Sequence, residues 1–135
     1  MLYDKTREKL VAETPEELVR QTLVDWLIEK LKVPDYMIKT EFALSNLSPN
    51  ENGRLDIVVA NPKSTDLSEP WLVAECKAGK TNLRSLEAQV NKYLRIVKPL
   101  YIILAIGNEW HFLAKNGNAY ARAVEIPDFT SNSER

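Results

Sequence analysis

Two strand-like segments joined by ten turn-forming residues place the tightest limit on how this chain can fold. The first, RLDIVVA at 54–60, is rich in β-branched residues, and the second is WLVAECK at 71–77. The connection NPKSTDLSEP is typical of turns, so the two segments are predicted to pair as an antiparallel hairpin. If the connection closes symmetrically, Asp56 lies opposite Glu75, and residues directly opposite share a face of the sheet.

Charged residues gather at one end of this hairpin. Glu75 and Lys77 are two positions apart, so both project from the same side of their strand. Together with Asp56 they are expected to form a cluster on one face. The neighbouring side chains are expected to point the other way: Leu55, Ile57, Ala74 and Cys76. The alternative is that Glu75 and Lys77 form a solvated strand end.

Two helices accompany these strands. Thr14 is predicted to be the N-cap of the first, with Pro15 at its first position and Glu17 completing a capping box. This helix is expected to stop before Pro34. The second helix is predicted over roughly residues 83–97.

Further strands are predicted at 36–44 and 100–107, followed by a closing hairpin around NGN at 116–118. The order indicates an α/β domain in which three strands form a meander and a fourth follows a helical crossover. We expect one domain over residues 1–126, with 127–135 as a flexible tail.

Composition excludes several classes of protein. Hydrophobic residues make up 44% and charged residues 27%, which is ordinary for a soluble domain, and Cys76 has no partner for an internal disulfide. No apolar run approaches a membrane span, and the first ten residues do not resemble a signal peptide, so a cytoplasmic location without membrane contact is expected. The net charge of −1 argues against coating nucleic acid by bulk charge, although it leaves room for a local basic face.

The expected cluster of Asp56, Glu75 and Lys77 suits phosphodiester hydrolysis. Two neighbouring carboxylates repel each other unless a cation neutralises them. Mg²⁺ binds through one or two carboxylates, waters and substrate phosphate, with Mn²⁺ as the expected substitute. A lysine beside such an ion can orient or deprotonate the attacking water and stabilise developing charge.

The first helix offers a third acid. Glu16 lies seven residues before Leu23 and is therefore expected on the buried stripe, with Arg20 one turn further on the same side. Glu17 is expected to act in the cap, so Glu16 is preferred as the site acid. Both acids could instead serve only the helix dipole.

The second helix places Gln89 and Tyr93 one turn apart, where both could reach the polar end of the hairpin. Basic residues gather on another side and just before it, as a row suited to a phosphate backbone. The row consists of Lys80, Arg84, Lys92, Arg95 and Lys98. The alternatives are chance for the Gln–Tyr pair and a solvated face for the basic row.

These residues resemble a known family. Asp56 followed by Glu75-Cys76-Lys77 is similar to the signature of the PD-(D/E)XK nuclease superfamily, although no proline precedes Asp56. The ordered segments TPEELVRQTLVDWL, RLDIVVA, LVAECKAGK and QVNKY resemble, over about residues 3–110, the N-terminal nuclease domain of type I restriction enzyme motor subunits.

The resemblance implies a restriction-endonuclease-like three-layer α/β core, with a mixed sheet of about four strands flanked by helices, and the closing hairpin as an addition. It implies Mg²⁺-dependent cleavage of DNA. Asp56, Glu75 and the backbone carbonyl of Cys76 would be metal ligands, and Lys77 would orient or activate the water. Gln89 and Tyr93 would support DNA and the site, and Glu16 or Glu17 would be the helix acid.

Partners and competing functions follow from the same comparison. The resemblance implies DNA as substrate. The residues that we expect to contact it are Arg20, Lys80, Arg84, Lys92 and Arg95. In that family the domain is joined to a helicase motor, so a motor subunit or a second copy of the chain is an expected partner. The alternatives are a non-catalytic nucleic-acid-binding or assembly module on the same fold, and a purely structural domain.

Overall fold

The computed structural model describes residues 2–4, 6–64 and 66–129. Within these residues, two α-helices and eight strands follow one another, and short 3₁₀ turns flank the third strand. The elements are β1 (Leu2–Asp4), β2 (Lys9–Val11), α1 (Pro15–Glu29), β3 (Ile38–Ala43), β4 (Arg54–Val59), β5 (Leu72–Lys77), α2 (Leu83–Tyr93), β6 (Tyr101–Ile106), β7 (Glu109–Asn116) and β8 (Ala119–Ala123). No helix among the described residues is long and apolar enough to cross a membrane.

Six strands form one mixed sheet in the order β3-β4-β5-β6-β7-β8. The predicted meander is confirmed, since β3, β4 and β5 are antiparallel neighbours, and β6 pairs parallel to β5 after the α2 crossover. The expectation of about four strands was too small. The chain reverses at Gly107, whose φ of +60° suits glycine, so β7 pairs with β6 and the closing hairpin extends the sheet to six strands.

Helix α1 covers one face of the sheet. Thr14 is its N-cap, and the Thr14 hydroxyl accepts the Glu17 N–H at 3.1 Å. Its buried leucines, Leu23 and Leu27, pack in the core against Ile57 of β4 and its neighbours on the same face. The predicted capping box is only half formed, because the Glu17 carboxylate is bound by arginines (below) and the Thr14 N–H donates to Ala12.

Helix α2 covers the other face and is shorter than predicted, ending at Tyr93 instead of continuing to residue 97. Leu86 and Val90 pack on β6. Val97, expected at the end of this helix, lies beyond it and is buried in a cluster with Leu55 beneath the β3–β4 half of the sheet.

Both ends of the chain differ from expectation. A small antiparallel pair, β1–β2, precedes α1 and was not predicted from the sequence. Phe129, expected to belong to a flexible tail, is packed: it is buried, lies edge-on to Trp71, and donates its N–H to the Leu31 carbonyl. Residues 130–135 of the expected tail lie outside the described residues.

Candidate active site at a fork in the sheet

Strands β4 and β5 pair over only half of their length. The ladder runs from Val59↔Leu72 to Ile57↔Ala74, which is the register predicted from the turn, and then stops. Beyond that point β4 continues beside β3, and β5 continues beside β6. The strands therefore diverge where Asp56 and Glu75 stand level. We call Asp56, Glu75, Cys76 and Lys77 the fork.

Side chains replace the missing backbone ladder at the fork. The Asp56 N–H donates to Glu75 Oε1 at 3.2 Å, and the Cys76 N–H donates to Asp56 Oδ2 at 2.7 Å. Each acid therefore accepts a backbone proton from the opposite strand. These reciprocal bonds bring together two of the acids that the sequence predicted to meet.

Strand β4 also changes face at Asp56. The β3–β4 ladder skips Glu41 and Asp56, and Glu41 has a left-handed φ of +50°, which costs a residue with a side chain about 1–3 kcal/mol. Ile57 packs on the α1 side and Leu55 on the α2 side, although strict alternation would place both on one face. The expectation that Leu55 points with Ile57 was therefore wrong.

The Glu75 carboxyl is the most perturbed acid of the fork. It is 1% exposed, and burial, followed by the negative charge of Asp56, raises its pKa to about 9. The Asp56 N–H and the Lys77 ammonium oppose this shift without cancelling it. A carboxyl in this environment is protonated near pH 7 unless a further positive charge stabilises its ionised form.

The two acids of α1 differ from the expected burial, because Glu17 and not Glu16 is the buried one. Glu17 is buried, at 6% exposed, whereas 40% of the Glu16 side chain is exposed. Glu16 nevertheless lies at the site, because its Oε1 is 3.8 Å from Lys77 Nζ. Sequence spacing alone could not separate two adjacent acids in the first turn.

A buried set of ion pairs stands behind Asp56. Arg20 contacts Glu17 at 2.6 Å and Asp56 Oδ1 at 3.3 Å through its two terminal nitrogens. Arg7, from the turn between β1 and β2, ion-pairs with Asp4 and Glu17. Sequence analysis missed Asp4 and Arg7, since nothing in their spacing links them to the site.

The remaining predicted residues occupy two environments. Gln89 donates to the Tyr93 hydroxyl at 3.1 Å, and the Tyr93 ring lies beside Gly53, just before β4. Four of the predicted DNA-contacting residues are exposed: Lys80, Arg84, Lys92 and Arg95. Arg20 differs from them, because it is buried and held by carboxylates.

The fork can supply oxygen ligands to a metal ion. In the described part of the chain, no three His, Cys, Asp or Glu side chains gather in a way that would hold a metal. Mg²⁺ binds through as few as one or two carboxylates, with waters completing its shell, so Asp56 and Glu75 fit such an ion. The Cys76 thiol is fully buried on the α1 side, and burial raises its pKa well above the usual value.

Comparison with known proteins identifies the family. A family model described as "Type I restriction enzyme R protein N terminus (HSDR_N)" matches residues 15–128. No curated protein and no solved structure gave a match. The match spans α1, the fork, α2 and all six strands of the large sheet, and leaves out β1 and β2. The chain therefore belongs to the family of type I restriction enzyme R protein N-terminal domains.

Proposed function

We propose that this domain is a metal-dependent nuclease that hydrolyses DNA phosphodiester bonds in restriction. One observation carries the proposal: Asp56 and Glu75 meet at the fork through reciprocal backbone hydrogen bonds, with Lys77 two residues further on. Family membership supports the restriction context.

Mg²⁺, or Mn²⁺ in its place, would be held by Asp56, Glu75 and the Cys76 carbonyl, and would polarise the phosphate and lower the pKa of a bound water. The energetic reason for a cation is the buried pair itself. Glu75 pays the cost of burial beside Asp56, and a positive charge at that position removes most of this cost.

Lys77 would orient the attacking water and stabilise the negative charge that develops on the phosphate. Its ammonium group is 3.8 Å from Glu16, and 30% of its side chain is exposed, so a phosphate arriving from solvent would be able to reach it. Glu16 would limit the conformations of the long Lys77 side chain.

Gln89 and Tyr93 would support one DNA strand beside the fork, and the exposed residues Lys80, Arg84, Lys92 and Arg95 would contact its phosphates. Arg20 would act from behind Asp56. One fork makes one cut, so cleavage of both strands would require a second copy or a partner subunit. A motor subunit is the partner that the family suggests.

Cleavage of supercoiled plasmid tests the proposal. We expect nicked circles with Mg²⁺ or Mn²⁺, none with EDTA, and a loss of about 10²–10⁴-fold in rate for Lys77→Met. Asp56→Asn should be equally inactive. Glu69→Gln is the matched control, because Glu69 is exposed and lies at the other end of the hairpin. Equal cutting by the wild type and both fork variants would refute the proposal.

A non-catalytic DNA-binding module is the second candidate. It is favoured by the charges already engaged within the chain: Asp56 contacts Arg20, and Lys77 contacts Glu16. This candidate predicts salt-dependent DNA binding without cleavage under any divalent metal. The plasmid assay combined with a binding titration separates the two functions.

A further inference from the structure

A line of ion pairs connects the N-terminal strands to the fork. It runs from Asp4 through Arg7, Glu17 and Arg20 to Asp56. Asp4, Glu17 and Arg20 are all at least nine-tenths buried. An isolated charge in such a place is costly, so each member depends on its neighbours for compensation.

The contacts at Arg20 divide its two tasks. One terminal nitrogen of Arg20 lies 2.6 Å from Glu17 and 3.4 Å from Glu41, and these two carboxylates balance the guanidinium charge. The other lies 3.3 Å from Asp56 Oδ1 and fixes the direction of that carboxylate. Asp56 Oδ2 is held at the same time by the Cys76 N–H. Both oxygens of Asp56 are therefore oriented before any ligand arrives.

We propose that Arg20 is a positioning residue for Asp56 and that Arg7 holds Arg20 in place through Glu17, so that β1–β2 and the turn between them form part of the active site. The proposal rests on the proposed function, because it concerns how the same metal ligand is held. It extends that function to a segment outside the family match, which begins at residue 15.

The geometry explains why a planar guanidinium stands at both positions. Arg20 must contact Glu17 and Asp56 together, and Arg7 must contact Asp4 and Glu17 together. Lysine has a single ammonium group and cannot make two contacts at the fixed spacing of the two terminal guanidinium nitrogens. Arg20→Lys and Arg7→Lys therefore preserve the charge while they remove the orientation.

Two measurements that do not depend on cleavage test the proposal. The first is hydrogen exchange of the Cys76 amide relative to the Val73 amide in metal-free protein, because only the Cys76 N–H is bound by Asp56. We expect selectively faster exchange at Cys76 in Arg20→Lys. The second is the Mn²⁺ concentration at half saturation, followed by the signal of free Mn²⁺. We expect a rise of at least about tenfold in Arg20→Lys.

Arg7→Lys is the second variant. We expect faster exchange at Cys76 and a rise of about two- to fivefold in the Mn²⁺ concentration at half saturation, because Arg7 acts on Asp56 only through Glu17 and Arg20. Arg54→Lys is the matched control: Arg54 reaches Glu41 at 4.0 Å, is 66% exposed, and has no contact with Asp56 among the described residues. An unchanged Cys76 amide and Mn²⁺ midpoint in both variants would overturn the proposal. A protein that binds Mn²⁺ without cutting DNA would refute only the proposed function.

Discussion

The two ends of the β4–β5 hairpin are built for different purposes. At one end, three residue pairs from Ile57↔Ala74 to Val59↔Leu72 are joined by backbone bonds and surrounded by buried apolar side chains. At the other end the ladder stops, and the fork holds a buried carboxyl whose pKa is raised to about 9. The ladder end stabilises the fold. The fork end destabilises it, because two acids lie close together there and one of them is buried.

The ladder end should show the largest effect on stability. Ile57→Ala removes a fully buried side chain beneath α1 and is expected to lower the free energy of unfolding by about 2–5 kcal/mol. Urea denaturation followed by circular dichroism measures the change. Leu67→Ala, at an exposed position, is the control and should have little effect. If Ile57→Ala lowered the free energy of unfolding by no more than Leu67→Ala does, the distinction between the ladder end and the fork end would be wrong.

At the fork end, in contrast, we expect a substitution to raise the free energy of unfolding. The pKa of Glu75 is raised from 4.5 to about 9 on folding, so the unfolded chain releases its proton first as the pH rises. The contribution of Glu75 to stability is therefore fully present below about pH 4.5 and is lost as the pH rises towards 9. Glu75→Gln cannot ionise and escapes this loss.

We therefore expect Glu75→Gln to be more stable than wild type at pH 8.5, by about 1–3 kcal/mol, and nearly equal to it at pH 5. Thermal unfolding without metal at the two pH values measures the difference, with Glu69→Gln as the control. A difference that did not grow with pH would contradict the account of the fork. Added Mn²⁺ should stabilise the wild type more than the variant.

Cys76→Ala should give the smallest effect and the clearest contrast. The thiol packs on the α1 side of the fork, and its pKa is held well above the usual value by burial, so it does not ionise in this range. We expect a loss of about 1 kcal/mol that is the same at pH 5 and pH 8.5. A loss that changed between these pH values would mean that the thiol ionises in this range and would contradict the account.

The sequence predicted the fork well because its determinants are local. A connection of fixed length sets the register, and the register brings Asp56 level with Glu75. The face change at Asp56 was not predictable, since it depends on the left-handed backbone of Glu41 on the neighbouring strand. For the same reason, Leu55 was assigned to the wrong face.

The other differences between prediction and structure depend on residues that are distant in the sequence. Glu16 and Glu17 are adjacent, and which of them is buried depends on arginines that reach Glu17 from its own helix and from the β1–β2 turn. Strands β1 and β2 have three residues each, too few for alternation to be recognised. The closing hairpin was predicted, but its addition to the main sheet was not, because nothing local in the sequence determines whether such a hairpin joins the sheet.

A structure of the protein soaked with Mn²⁺, with the ion located by its anomalous scattering, tests the central claim most directly. The account predicts one ion bound by carboxylate oxygens of Asp56 and Glu75, together with the Cys76 carbonyl, and no such ion in Asp56→Asn. Mn²⁺ bound elsewhere, with Glu75 still accepting the Asp56 N–H and bound to no ion, would contradict it.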